Sequence, residues 1–289
     1  MQRLNIIGCG RVGRTLARLW HTRAVFAIGD VDDHGLDKSR AAVAFIGAGR
    51  ASTGIDDTSE AELWLLALPD DRIAERCRVL AASKRLTAGN IVFHCSGALG
   101  SGELAAAVAC GAAVASIHPL KTFADPAIAV ATFAGTSCGV EGDAAARAVL
   151  APAFEAIGAR LFALDVAGKT VYHAASVLVC NDLAALLEAG TRAYALAGIA
   201  PEAALSLMAP LVRETLDNVF SMGTARALTG PVMRGDVEVV RRQLAVLSSA
   251  EPRVAAVYRS LGLIAVELAR KAGGAEAAAL NAIEDLLRE

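Results

Sequence analysis

The stretch Arg3–Trp20, RLNIIGCGRVGRTLARLW, constrains the fold of this chain more than any other. The run Leu4-Asn5-Ile6-Ile7 has the character of a buried parallel strand. It leads into Gly8-Cys9-Gly10-Arg11-Val12-Gly13, a G-x-G-x-x-G spacing. Val12, Leu16 and Leu19 then recur on one helical stripe. Each glycine has a physical job in a strand–turn–helix of this kind. Gly8 permits the tight turn, Gly10 lets a pyrophosphate approach the backbone, and Gly13 lets helix and strand pack closely. The helix N-terminus then presents free N–H groups and the positive end of its dipole to the phosphates. The expected cofactor is NAD or NADP, held by Gly8, Gly10, Arg11, Val12 and Gly13. The competing reading is a glycine turn in an α/β sheet that binds nothing.

A length of 289 residues suits two domains. The chain is 55% apolar and 20% charged, enough to bury a large core. Its 28 basic and 30 acidic residues balance to a net charge of −2, which excludes a nucleic-acid or anionic-membrane footprint. Six cysteines form no C-x-x-C pair and sit among apolar or small residues, so reduced, buried thiols of a cytoplasmic protein are expected. No signal peptide, membrane-spanning run or metal site is expected.

Ala24–Val31 reads as the second strand. The fingerprint wants an acid at its C-terminal end for the ribose hydroxyls, and Asp30, Asp32 and Asp33 all lie there. Carboxylates favour NAD; His34, Lys38 and Arg40 follow closely and favour a 2′-phosphate. Asp32 is taken as the ribose contact, with a slight lean to NAD. Asp37–Phe45 reads as helix and residues 47–54 as loop. Leu63–Leu68 is a continuous apolar strand, and Leu68-Pro69 at its end should line the cofactor cleft. Two more strands, Asn90–His94 and Ala113–Ile117, end in polar pairs: His94 with Ser96, and His118 with Lys121. Both pairs are expected to open on the nicotinamide. Thr136–Val140 and Arg160–Leu164 extend the sheet, with the helix Asp143–Ile157 between them. The first domain, a Rossmann-type doubly wound parallel sheet, is expected over residues 1–165.

Residues 166–289 read as helix throughout and form the expected substrate and dimerisation domain. Their first helix, from Gly168 to about Ala197, carries Lys169, His173 and Asn181 at i, i+4 and i+12, on a face about 120° wide. Tyr172 and Ser176 flank that face. A cationic Lys or His can polarise a carbonyl and supply its proton, and Asn can orient the substrate. The alternative is a solvated Lys169 with satisfied interhelical polar groups. Arg234 is a weaker candidate as an anion anchor.

These segments together resemble a family of bacterial proteins with a Rossmann-like domain and a C-terminal helical domain of unknown function, generally assigned as oxidoreductases. The likeness rests on the glycine turn, Leu66-Ala67-Leu68-Pro69-Asp70, His94-Cys95-Ser96-Gly97-Ala98-Leu99, His118-Pro119-Leu120-Lys121-Thr122-Phe123, Tyr172-His173-Ala174-Ala175 through Asn181, and Leu228-Thr229-Gly230-Pro231 with Arg234-Gly235-Asp236. More widely, the chain is similar to the 6-phosphogluconate dehydrogenase-like superfamily. In β-hydroxyacid dehydrogenases of that group a lysine and an asparagine one turn later serve the reacting hydroxyl. Lys169 matches the first; His173 stands where the asparagine would. In prephenate dehydrogenases a His-Pro motif carries the catalytic histidine near a serine, which His118-Pro119 and Ser96 resemble. The resemblance implies an NAD(P)-dependent oxidoreductase acting on a small polar carbonyl or hydroxy compound, functioning as a homodimer. His118 or His173 is then the acid–base, with Lys169, Asn181 and Ser96 around the substrate. A deazaflavin coenzyme as hydride partner and a non-catalytic nucleotide-binding protein are the alternatives.

Overall fold

A computed structural model describes all residues from Met1 to Glu289. They divide into two compact units, Met1–Val177 and Leu178–Glu289. The first unit is built on one eight-stranded sheet. Its strands are β1 (Arg3–Ile7), β2 (Ala27–Asp32), β3 (Arg50–Ser52), β4 (Leu63–Leu66), β5 (Ile91–His94), β6 (Ala113–Pro119), β7 (Ser137–Gly142) and β8 (Arg160–Ala163). The helices between them are α1 (Arg11–Thr22), α2 (Leu36–Ile46), α3 (Asp70–Ala82), α4 (Ala105–Ala109), α5 (Pro126–Ala131) and α6 (Ala144–Ala156).

The spatial order is β3-β2-β1-β4-β5-β6-β7-β8. The first six strands are parallel and follow the doubly wound pattern, with the crevice of the switch point outside the carboxyl ends of β1 and β4. All the central positions are covered on both faces, which explains the unbroken apolar runs. Alternate residues feed two cores. Leu4, Ile6, Leu65 and Phe93 pack on one face with Leu16, Trp20 and Phe154. Ile7, Trp64, Leu66 and Val92 pack on the other with Ile73, Cys77 and Leu80. Trp20 anchors the first core, edge-on to Phe26, Phe93 and Phe154, and its indole N–H donates to the Ala153 carbonyl at 3.0 Å.

Several details depart from the sequence reading. Arg50–Ser52, read as loop, forms the edge strand β3, and Pro126–Ala131 forms a short helix capped by Asp125. β7 runs antiparallel to β6, so the last two strands reverse the direction of the sheet. Cys180 is exposed, and Cys95 and Cys110 are half-buried, so burial holds only for Cys9, Cys77 and Cys138. Strand structure ends at Ala163, next to the boundary expected at residue 165, while the first compact unit extends to Val177.

α7 (Lys169–Leu196) leads from the first unit into the second. By length and composition this segment is apolar enough to cross a membrane. The expectation that no such run exists is corrected at this helix, whose scattered polar residues mask its average. The second unit continues with α8 (Pro201–Met222), α9 (Thr224–Ala227), α10 (Pro231–Arg234), α11 (Val237–Ala250), α12 (Pro252–Ala272) and α13 (Ala277–Arg288). Val232, Val240, Val266, Ala269, Leu280, Ile283 and Leu287 make its small core. Leu178, Val179, Leu205, Leu207, Leu211 and Phe220 remain exposed, Phe220 by 84%.

Candidate active site

The glycine turn is tight at Gly8 and open at Gly10. Gly8 sits at φ +77°, and a Cβ there would meet the Ala67 carbonyl oxygen at 2.8 Å. A Cβ on Gly13 would meet that of Ala67 at 2.9 Å, so this glycine is what brings α1 against β4's end. Gly10 has open space around its absent side chain. No side chain caps α1 at Gly10, so the first-turn N–H groups stay available to an anion. Arg11 is exposed beside them and Val12 is half-buried.

A cavity of about 420 Å³ adjoins this turn, lined by Ile7, Gly8, Leu68 and Pro69 together with Asp32, Asp33, His34, Lys38, Arg72 and Arg76. Leu68 and Pro69 thus border a cavity next to the glycine turn. The acids of β2 have different fates. Asp30 is fully buried, and its carboxylate is held by Arg50 at 2.6 Å and by the Ser59 N–H at 2.6 Å. Burial alone would raise its pKa, but these bonds win and lower it. Asp32 lines the cavity and is paired with Arg76 at 2.9 Å. Arg40 pairs instead with Asp37 on the surface and takes no part in lining the cavity.

At the carboxyl end of β6, His118 meets two side chains from the first turns of α7. Its Nδ1 lies 2.8 Å from the Tyr172 hydroxyl, and its ring stands edge-on to Tyr172 and to His173, with centroids 5.6 and 5.8 Å away. Gly97, in the loop after β5, packs directly beneath both imidazoles. A Cβ there would lie 2.8 Å from His118 Nε2 and would also strike the His173 ring. Burial, with like charge at His173 and Lys169, lowers the His118 pKa to about 4. Burial raises Tyr172 to about 12, so the phenol stays protonated. His118 is therefore a neutral imidazole at pH 7, with Nδ1 engaged by Tyr172 and Nε2 facing Gly97.

Behind this pair lies a buried polar cluster. Lys169 is only 1% exposed, so it is placed inside the protein and not on an open wall. Its ammonium donates to Ser116 Oγ and lies 3.3 Å from Glu141 Oε1. Glu141 in turn accepts from the Ser101 N–H at 2.8 Å and hydroxyl at 2.7 Å. Burial lowers the Lys169 pKa, opposed by the Glu141 charge. His94 is fully buried, with Nε2 3.1 Å from the Gly100 carbonyl and Nδ1 accepting the Ser96 N–H at 3.1 Å. That pattern fixes the proton on Nε2, and burial holds the pKa down to about 4. Ser96 Oγ accepts from the Ala98 and Leu99 N–H groups at 3.2 and 2.9 Å. The pair expected to face the ligand instead shapes the loop that carries Gly97. Lys121 turns away and donates to the Thr132 carbonyl at 2.9 Å.

The first unit thus brings together His118, His173, Lys169 and Ser96 from the sequence reading. Asn181 belongs to the second unit, where it is exposed. Arg234, also there, is tied to Asp236 at 2.7 Å. Glu141, Ser116 and Ser101 were not anticipated. Their only signal was a carboxylate or hydroxyl inside an apolar strand or at a helix entry, as in Cys138-Gly139-Val140-Glu141 and Ala115-Ser116-Ile117.

Residues 2–119 match the model of a Rossmann-like domain, and residues 136–265 match a domain of unknown function, DUF2520. The chain carries a Rossmann-like domain followed by a DUF2520 domain. Among solved structures, protein TM1727 from Thermotoga maritima is 26% identical, with a TM-score of 0.71 over 93% of this chain and 98% of that one. BF3122 of Bacteroides fragilis, assigned as an NADP oxidoreductase, is 19% identical with a TM-score of 0.72, covering 94% and 97%. A Streptomyces aurantiacus imine reductase is 18% identical with a TM-score of 0.63 over the whole of both chains. No curated protein matches the sequence. The DUF2520 match begins inside the sheet: β7 and β8 precede the helical part of the chain but fall within it.

Proposed function

We propose that this chain is an NAD(P)-dependent oxidoreductase acting on a small polar hydroxy or carbonyl compound, or on the C=N analogue of the carbonyl. The observation that carries the reading is the neutral His118, fixed by Tyr172 and seated on Gly97, in a unit whose glycine turn is open at Gly10. Rossmann-like domain matches and structural neighbours assigned as reductases support it at the level of reaction class. The nicotinamide supplies or takes the hydride when bound, and the protein positions the partners.

Gly8, Gly10 and Gly13 shape the turn for the pyrophosphate, with Arg11 as a flanking cation and Leu68-Pro69 bordering the cavity. In the oxidative direction His118 Nε2 takes the proton of the substrate hydroxyl, while Nδ1–H donates to the Tyr172 oxygen and steadies the imidazolium formed. In the reductive direction the same nitrogen returns that proton to the heteroatom. His173 lies against His118 and lowers the affinity of its ring for a proton, which tunes the base. Lys169 with Glu141, Ser116 and Ser101 holds the loop–strand junction behind the histidines. A homodimer through the exposed apolar faces of the second unit belongs to the same proposal.

The test combines binding and turnover. Wild-type protein should quench and shift nicotinamide fluorescence at micromolar concentration, and Gly10→Val should abolish this. His118→Asn and Gly97→Ala should still bind the cofactor but turn over hydroxy acids, 2-oxo acids or cyclic imines at least about 100-fold more slowly. Full turnover by His118→Asn would remove the histidine from the chemistry. Cofactor binding with no turnover on any substrate would favour a nucleotide-binding regulator.

A further inference from the structure

The cavity beside Gly8 has an unusual charge for a site expected to read ribose hydroxyls. Lys38, Arg72 and Arg76 outnumber Asp32 and Asp33 on its walls, and His34 adds a titratable base. A ribose-reading acid must offer free carboxylate oxygens to the hydroxyls. Each acid here has one carboxylate oxygen already engaged. Asp32 is 4% exposed, and its Oδ2 is taken by the Arg76 guanidinium at 2.9 Å. Asp33 closes its own turn, its Oδ1 accepting the His34 N–H at 2.7 Å. Asp30, the third acid, is consumed on the far side by Arg50 and Ser59.

The cations keep donors to spare. A guanidinium has five N–H groups, and the fork suits a phosphate's oxygens. Arg76 spends one nitrogen on Asp32, and its side chain is 29% exposed. Arg72 is half-exposed on the same helix, bonded to Glu75 outside the cavity at 2.9 Å. Lys38 reaches in from α2 on the opposite wall. A phosphomonoester dianion in this cavity meets three cations, two of them with planar forks.

We infer that this cavity takes the 2′-phosphate of NADP, with Arg76 as the specificity-determining residue. Arg76 acts twice: it neutralises the acid that would otherwise select NAD, and it binds the phosphate with Lys38 and Arg72. The inference rests on the dinucleotide reading above and reverses the slight lean to NAD drawn from the acidic cluster. It also locates the selector on α3, about 44 positions beyond Asp32 in the chain, outside the span in which a fingerprint is read.

The experiment is a fluorescence titration with NADPH and with NADH of wild-type protein and of the Arg76→Ala and Lys38→Ala variants, with Gly10→Val as a control. Wild type should bind NADPH about 10- to 100-fold more tightly than NADH, the range that charge-assisted hydrogen bonds give. Arg76→Ala should lose most of that ratio through weaker NADPH binding, with NADH unchanged or improved as Asp32 is freed. Lys38→Ala, on a different helix, should lower the ratio in the same direction. 2′,5′-ADP should displace bound NADPH, and 5′-AMP or inorganic phosphate at equal concentration should not. If wild type binds NADH as well as NADPH, or Arg76→Ala weakens both equally, the phosphate assignment is overturned while the dinucleotide reading stands. If neither nucleotide binds, both fail.

Discussion

Replacing Lys169 by Met tests the buried cluster most directly. The substitution keeps the stem and its packing but removes the ammonium that bonds Ser116 and Glu141. Glu141 is then left buried with its bonds from Ser101 and no opposing charge. Removing one partner of a buried pair costs about 3–5 kcal/mol, because the remaining charge is stranded. For a unit of 177 residues this corresponds to a fall in melting temperature of about 6–20 °C. The double variant Lys169→Met/Glu141→Gln should recover most of the loss, since a neutral amide needs no counter-charge and can still bond Ser101. Thermal unfolding followed by circular dichroism measures all three proteins. A loss below about 1 kcal/mol in the single variant, or an additive loss in the double, would show that the ammonium does not hold Glu141, and the positioning role would fall with it.

Because His118 acts neutral, kcat/KM for hydroxy-compound oxidation should stay flat below neutrality and fall only as pH drops through about 4; an acid limb at the ordinary 6.5 would assign the base elsewhere. Tyr172→Phe removes the hydroxyl hydrogen-bonded to Nδ1, so kcat should fall about 10-fold with cofactor affinity intact, as single-turnover and binding measurements would show. Burial lowers the pKa of both His94 and His118 to about 4 in the folded state. The unfolded chain therefore binds more protons between about 6.5 and 4, and melting temperature should decline as pH falls through that window, less steeply in His94→Gln. Light scattering at micromolar concentration should give the mass of a dimer, given the exposed Leu178, Val179, Leu205, Leu211 and Phe220; a monomeric mass would refute it.

The glycine turn and the strands around it were legible because each residue there answers to one local requirement. A tight turn needs Gly8, close packing needs Gly13, and a strand covered on both faces needs Leu63-Trp64-Leu65-Leu66. His118 was legible as a polar residue at a strand end. What escaped were pairings across large sequence separations. Arg76 on Asp32, Glu141 on Ser101 and Lys169, and Tyr172 on His118 depend on which element lies beside which. Lys169 shows the limit: helix periodicity placed it on a face with His173, and only the sheet decides that this lysine is enclosed. The direction of β7 was hidden for the same reason, since a strand's residues look alike whichever way it runs.

That reversal bears on how separable the two parts of the chain are. The Rossmann-like match stops at residue 119 and the DUF2520 match starts at 136, so the seam between them falls between β6 and β7. Cutting there would strip β6 of its neighbour along Ala115–Pro119 and leave a naked strand edge ready to pair with another molecule. It would also send Glu141 and Lys169 away with one piece, and Ser101 and Ser116 with the other. The nucleotide fold of this chain is therefore not a detachable cassette. Any ancestor that exchanged its C-terminal part would have had to exchange a quarter of the sheet with it, β7 and β8 of the eight strands.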